Sequence, residues 1–526
     1  LLANPFSPHK RAAAPAVCNA VTADPNEHSE LDSDQLKQAA VSGVRWFAAA
    51  KASTEVLQLA AAIALARLVS PADFGNASVA LIFLPLSVIL TYEGFGSALV
   101  QRKLVHDGHF EAATLTSLLA GVLLTLATFL LAPVVAGPIF SPEIAHLIQL
   151  VSPVFALAGL GTVSRAVLSR KLDFRLISII EAGSLALGAF IAVGLAALGL
   201  GAEAIVLGGV AACGLASLAL LAVTPRRRPR WRQREMSEIA RFGGPASAAG
   251  VVYVAISNVD YAVLAARLNP AQVGIYWRAF QLGVMYQDKL SGIMMRLAFP
   301  IYSRTSDLNE MKLLHERATR IHGAVVAPLL AILIVTAPEL VPLVFGDAWR
   351  AAVEPAQILA VAGMIAAILT GYPQVMLAAG RPRPLMVFNC CVLVAYAGAV
   401  YATAGLGLVA VAIAVVAVHL AILAAVYLVL FRRVLGLPIG RLVTDLAPAL
   451  AGSALVLAVG FPLVGLLRET VLAAPLIVLL AGLAGLGAQA LSLRALFPGV
   501  WADVSGLLRR LIPSRKEKFR PLPIVE

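Results

Sequence analysis

An all-α integral membrane fold of about fourteen transmembrane helices is predicted by three features of this 526-residue sequence. Hydrophobic residues make up 60% and charged residues only 13%, where a soluble domain carries about 25% charged residues. The apolar residues come in runs of about 20, the length that crosses a hydrocarbon core. Lysine and arginine alternate between rich and poor loops along the chain, which is how membrane orientation is encoded.

Taken in order, residues 1–37 contain Pro5, Pro8, Pro15 and Pro25, Lys10 and Arg11, and an acidic stretch from Asp24 to Asp34. They hold no apolar stretch, so a disordered tail is expected there and a secretory signal is not. Candidate spans follow at 44–68, 76–98, 112–136, 145–168, 175–199 and 203–224, then at 243–267, 272–300, 321–345, 353–379, 385–404 and 406–431, and finally at 446–467 and 472–493. The predicted organisation is a cytoplasmic tail (1–37), a six-helix bundle (38–224), a basic cytoplasmic linker (225–241), a second six-helix bundle (242–431), two additional helices (432–494) and a basic cytoplasmic tail (495–526).

With the N-terminus inside, the inner loops carry about 22 Lys and Arg, from Arg102 and Lys103 to Arg432, Arg433 and Arg441. The outer loops carry about three: Arg267, Arg350 and Arg468. Both termini are therefore expected in the cytoplasm. The net charge of +12 is distributed in these short runs, which argues against a nucleic-acid partner. The outer loops are no longer than roughly a dozen residues and leave no room for an external catalytic domain.

The chain repeats itself. Ala66-Arg67-Leu68-Val69-Ser70-Pro71-Ala72-Asp73-Phe74-Gly75 ends the first span, and Ala266-Arg267-Leu268-Asn269-Pro270-Ala271-Gln272-Val273-Gly274 ends the seventh. Six spans separate the copies, an even number, so the halves point the same way. This predicts a parallel repeat about an axis along the membrane normal.

Charges inside spans are the informative residues, since each costs roughly 2.5–3.5 kcal/mol at mid-bilayer. Lys51, Glu55 and Gln58 share one face of the first span, with Arg45 at its inner end. In the eighth, Arg278, Lys289 and Arg296 fall on one face as a stripe about 27 Å long. These five cations are the candidate substrate-binding residues of a cavity. The competing reading is a self-neutralising Lys51–Glu55 pair and interfacial snorkelling by Arg278 and Arg296. Asn258 and Asp260 of the seventh span, with Glu55, are candidates for binding a coupling ion; pairing of Asp260 with a stripe cation is the favoured reading. His322 and His419 read as hydrogen-bonded packing residues rather than proton relays.

The four cysteines, Cys18, Cys213, Cys390 and Cys391, lack metal-ligand spacing, so no metal site or disulfide framework is expected. No Gly-x-x-x-x-Gly-Lys-Ser/Thr loop, His-Glu-x-x-His or Gly-x-Ser-x-Gly occurs. No cofactor and no enzymatic activity are expected, and a gradient rather than ATP bound by this chain should drive any transport.

Six stretches carry a resemblance. They are Leu65-Ala66-Arg67-Leu68-Val69-Ser70-Pro71-Ala72-Asp73-Phe74-Gly75, Gly94-Phe95-Gly96-Ser97-Ala98-Leu99-Val100-Gln101-Arg102-Lys103, Arg170-Lys171-Leu172-Asp173-Phe174, Gly274-Ile275-Tyr276-Trp277-Arg278-Ala279-Phe280, Phe299-Pro300 and Phe345-Gly346-Asp347-Ala348-Trp349. In order and spacing, from about residue 38 to 435, the chain resembles the polysaccharide transporter (flippase) family of the multidrug/oligosaccharidyl-lipid/polysaccharide superfamily. The resemblance implies flipping of undecaprenyl-pyrophosphate-linked oligosaccharide, a precursor of lipopolysaccharide or exopolysaccharide, across a bacterial plasma (inner) membrane. It implies membrane lipids as surroundings, with a polysaccharide polymerase and glycosyltransferases of the same pathway as candidate partners. Two other readings stay open: a cation-coupled drug or small-molecule exporter of the same fold, which would favour acidic cavity residues, and a membrane polysaccharide polymerase or ligase, which would place catalytic groups in a sizeable outer loop.

Overall fold

The computed structural model describes residues 54–102, 104–225, 228–285, 287, 291, 308–434, 436, 439–470 and 472–511. These are helical, with no strand among the described residues. Helix α1 covers residues 54–68. The first half continues with α2 (Pro71–Gln101), α3 (Asp107–Ile139), α4 (Pro142–Arg170), α5 (Phe174–Ala197) and α6 (Ala202–Val223). Helix α7 runs from Gln233 to Arg267, and α8 begins at Pro270 and is regular to Phe280. The second half continues with α9 (Leu308–Phe345), α10 (Asp347–Ala378), α11 (Pro382–Ala404) and α12 (Leu408–Phe431). Helices α13 (Ile439–Arg468), α14 (Ala474–Leu496) and α15 (Pro498–Leu511) complete the described chain.

Twelve of these helices are long and apolar enough to cross a membrane. The other two expected spans, 44–68 and 272–300, overlap α1 and α8 and lie partly outside the described residues. Helix α7 starts at Gln233, inside the segment read as a linker, because Arg234 and Glu238 pair one turn apart and carry the helix beyond its apolar part. Helix α15 lies within the segment read as a tail.

Local sequence sets the helix starts. Ser70 caps α2 by accepting from the Asp73 amide, and Pro71 follows at the first helical position. Asn269 caps α8 through the Gln272 amide, Gln272 returns the bond, and Pro270 follows. The same device thus opens corresponding helices of the two halves. Ser141 with Pro142 and Asp173 similarly cap α4 and α5.

Helices α2 and α8 cross at Gly75 and Gly274. A Cβ on Gly75 would land on the Pro270 carbonyl oxygen, and one on Gly274 on the Pro71 carbonyl oxygen. Only glycine lets two backbones approach so closely, the usual basis of close helix contact in lipid. Interior prolines Pro245, Pro328, Pro338, Pro342, Pro448 and Pro462 are accommodated in α7, α9 and α13, where neighbouring helices cover the freed backbone groups. Helix α2 widens to π geometry at Ile89–Gly96, the part that meets α7.

Candidate functional site

Residues 228–232 and α15 lie at one end of the molecule, here the linker end; the α1–α2 and α7–α8 turns lie at the opposite, far end. The two halves touch at both.

At the far end, the last turn of α9 stops at Phe345, leaving carbonyls without helical partners at the negative end of the helix dipole. Arg67 of α1 supplies donors: its Nη2 reaches the Leu343 carbonyl at 2.6 Å and its Nε the Val344 carbonyl at 3.2 Å. Trp349, fully buried at the start of α10, donates its indole N–H to the Ala66 carbonyl at 2.8 Å. Each bond joins the two halves.

Arg278 sits beneath this seam with 0% of its surface exposed. Its guanidinium carbon lies 4.4 Å from the Phe345 ring centre, 4.7 Å from Trp349, 4.8 Å from Phe74 and 5.2 Å from Trp277. Its Nη1 donates to Gln281 at 2.7 Å. Four rings, one of them from α2, offset much of the cost of burying this charge, since a desolvated cation on an aromatic face gains about 2 kcal/mol.

Asp260 of α7 is 0% exposed. Its carboxylate accepts from Tyr276 Oη at 3.0 Å, Tyr396 Oη at 3.4 Å and the Tyr261 amide at 2.9 Å. Tyr276 is two residues before Arg278, so a change at Asp260 acts on the same turn of α8 that carries the aromatic box. Asn258 bonds back to its own helix at the Val254 carbonyl, 2.8 Å away. Glu55 is half-buried near the start of the described part of α1. Lys51, Arg45, Lys289 and Arg296 lie outside the described residues. The histidines pack through hydrogen bonds: His322 Nε2 with Ser291 at 2.7 Å and His419 Nδ1 with the Val415 carbonyl at 2.8 Å.

At the linker end, the Glu238 carboxylate takes Arg102 at 2.7 Å, His109 at 3.3 Å and Arg234 at 3.2 Å. The Arg102 hydrogen bond, followed by that of His109, holds the Glu238 carboxyl down at about 2. Glu111 takes Arg232 at 3.1 Å and Arg230 at 3.8 Å. Behind this cluster Gly243 of α7 rests on the Gly94 carbonyl of α2.

Arg67 lies at the end of the first predicted span, and nothing local in the sequence assigns it a partner. Its signal was the company it keeps: Arg67 and Phe74, then Trp277 and Arg278, then Phe345 and Trp349, fall in three separate stretches of the family resemblance. The structure brings all three stretches to one place.

Fold and site define a multi-pass helical membrane protein built like known transporters, its halves meeting at a crossed pair of helices. The inward closed conformation of the lipid II flippase MurJ superposes with a TM-score of 0.67 at 14% identity, covering 88% of this chain and 98% of that one. An inward-facing multidrug resistance MATE family transporter of the MOP superfamily superposes with a TM-score of 0.56 at 16% identity, covering 73% and 94%. In sequence, the chain is 27% identical over 361 residues to the lipopolysaccharide biosynthesis protein WzxC of Escherichia coli K12, covering 67% of this chain and 73% of that one. It is 24% identical over 377 residues to the teichuronic acid biosynthesis protein TuaB of Bacillus subtilis 168, covering 70% and 77%. The profile of the polysaccharide biosynthesis protein family matches residues 64–354, more than half of the chain. The chain belongs to that family.

Proposed function

We propose that this protein is a flippase that carries an undecaprenyl-pyrophosphate-linked oligosaccharide across a bacterial plasma membrane by alternating access, and that it is not an enzyme. The observation that carries the reading is the far-end seam. Three stretches shared with the family converge there, where a few polar bonds and one buried cation are set into an apolar cluster that both halves contribute to. Such a seam can open. The names of the relatives WzxC and TuaB, and the fold shared with a lipid II flippase, point the same way. The linker end and both termini face the cytoplasm, as the basic loops favour.

A pyrophosphate is anionic, and crossing hydrocarbon requires compensating charge along the route. Arg278, Lys289, Arg296, Lys51 and Arg45 supply it, with Arg278 reached only when the aromatic box opens. Asp260, with Asn258 and Glu55, serves to pair with a stripe cation or to bind a coupling ion; its bond to Tyr276 ties its charge to the seam.

The test is a reversible lock. Arg67→Cys and Leu343→Cys in an otherwise cysteine-free chain, joined by a cleavable bifunctional maleimide, hold the far end shut. Flipping of lipid-linked oligosaccharide in reconstituted vesicles should stop on cross-linking and return on cleavage of the linker. Full activity in the cross-linked protein would overturn the alternating-access reading.

A further inference from the structure

Within the first half, four helices line an open-sided cavity of about 380 Å³. Its wall is one stripe from each helix: Leu84 and Val88 of α2, Val154 and Ala158 of α4, Leu185 of α5, and Cys213 with Ala216 of α6. The lining on α4 runs from Val154 to Arg165 and on α6 from Gly209 to Leu220, an extent of about 16 Å at 1.5 Å per residue. The space is therefore a slot parallel to the helices. Its length matches one leaflet, half of a hydrocarbon core of about 30 Å.

The slot is apolar except at its linker end. There Arg165 Nη2 pairs with Glu181 Oε1 at 2.9 Å, and both side chains stay about a third exposed, at 34% and 38%. The Arg165 guanidinium also lies over the Tyr92 ring at 4.6 Å. Protein interiors are close-packed, and a space of this size with apolar walls does not hold ordered water well. It has the size range of ligand sites. One end is hydrocarbon-like; the other, toward the linker end of the spans, carries a cation.

We infer that this slot binds one hydrocarbon chain of a phosphate-headed lipid, tail toward the bilayer centre and phosphate at Arg165. Binding replaces the Glu181 partner of Arg165 with the phosphate, so Glu181 limits affinity. The site goes beyond the transport reading and does not need transport to exist. Two lipids share this chemistry: the polyprenyl phosphate carrier and the bulk phospholipid.

The full chain in phosphatidylcholine nanodiscs is labelled with two probes carrying a diazirine near the tail end: a polyprenyl phosphate and a phosphatidylglycerol. Peptide mapping should place adducts on the slot faces of α4 and α6. Ala216→Phe, which fills the slot, should cut that labelling about tenfold, and Ala158→Leu from the opposite wall should do the same. Unchanged thermal unfolding, or either variant alone if the other is unstable, serves as the folding control. Arg165→Gln should lower labelling by the phosphate probes but not by the matching polyprenyl alcohol, whereas Glu181→Gln should raise it. A purely structural ion pair would move all probes alike. Preference for the polyprenyl probe assigns the site to the carrier; equal labelling assigns it to bulk lipid. Adducts spread evenly over lipid-facing Leu187 and Phe190, and unaffected by Ala216→Phe, would overturn the inference. A chain that flips with the slot unlabelled sinks this inference alone; a chain that labels without flipping sinks only the transport reading.

Discussion

Arg278 is where a single side chain decides most. Its guanidinium is flat and meets four rings at 4.4–5.2 Å, an arrangement that a compact, strongly hydrated ammonium cannot reproduce. Arg278→Lys keeps the charge and should lower stability by about 2 kcal/mol, read as a drop in the thermal midpoint in detergent. An unchanged midpoint would mean that the rings do not hold the cation. Glu238 gives a pH test at the other end. Its carboxyl is held at about 2, mainly by Arg102, against about 4.3 for a free glutamate. A depressed folded value means that its contribution is complete above about pH 4.3 and is lost as the pH falls toward about 2. Relative to Glu238→Gln, the wild type should protect residues 233–241 from hydrogen exchange at neutral pH and lose that advantage across this window. Equal exchange in both proteins at neutral pH would remove Glu238 as the latch of α7. Neither role was legible in the sequence. Glu238 stands among arginines in a segment that reads as a solvated linker, and only the approach of α2 and α3 supplies Arg102 and His109.

Among the elements, α2 and α8 were the most readable at their starts and the least readable at their crossing. Ser70-Pro71 and Asn269-Pro270 announce helix N-termini because a cap and a proline act within one turn. Gly75 and Gly274 announce nothing by themselves. Their function depends on a backbone 199 residues away in the chain (274 − 75), brought within contact of the other glycine. Gly75→Ala and Gly274→Ala should each force the crossing apart at a cost of about 1–3 kcal/mol. Because both changes act on one contact, the double variant should cost less than the sum. Thermal unfolding of the four proteins closes this cycle, and strict additivity would count against a shared crossing. Helix α7 is the element that sequence divided differently: its helical start at Gln233 lies before the apolar span that begins near Gly243. Hydropathy marks where a helix enters lipid, not where its hydrogen bonding begins.

For the whole molecule, the alternation of basic and neutral loops orients every span at once. Twelve described helices, α2 to α7 and α9 to α14, are long and apolar enough to be the spans that this pattern orients. A reporter active only outside the cytoplasm, fused to the C-terminus, should therefore give no signal; a strong signal would invert the proposed orientation. The positions of the twelve described spans were determined by the sequence alone, because partition between water and hydrocarbon is decided residue by residue and summed over about 20 residues. The family was also legible, through stretches whose order could be read without coordinates. What only the tertiary structure decided is which of those stretches meet: Arg67 with the end of α9, Phe74 and Trp349 with Arg278, Tyr276 and Tyr396 with Asp260. These meetings depend on the angle and depth at which helices cross. That geometry is set by glycine contacts and side-chain packing between segments hundreds of residues apart, and no local pattern in the chain records it.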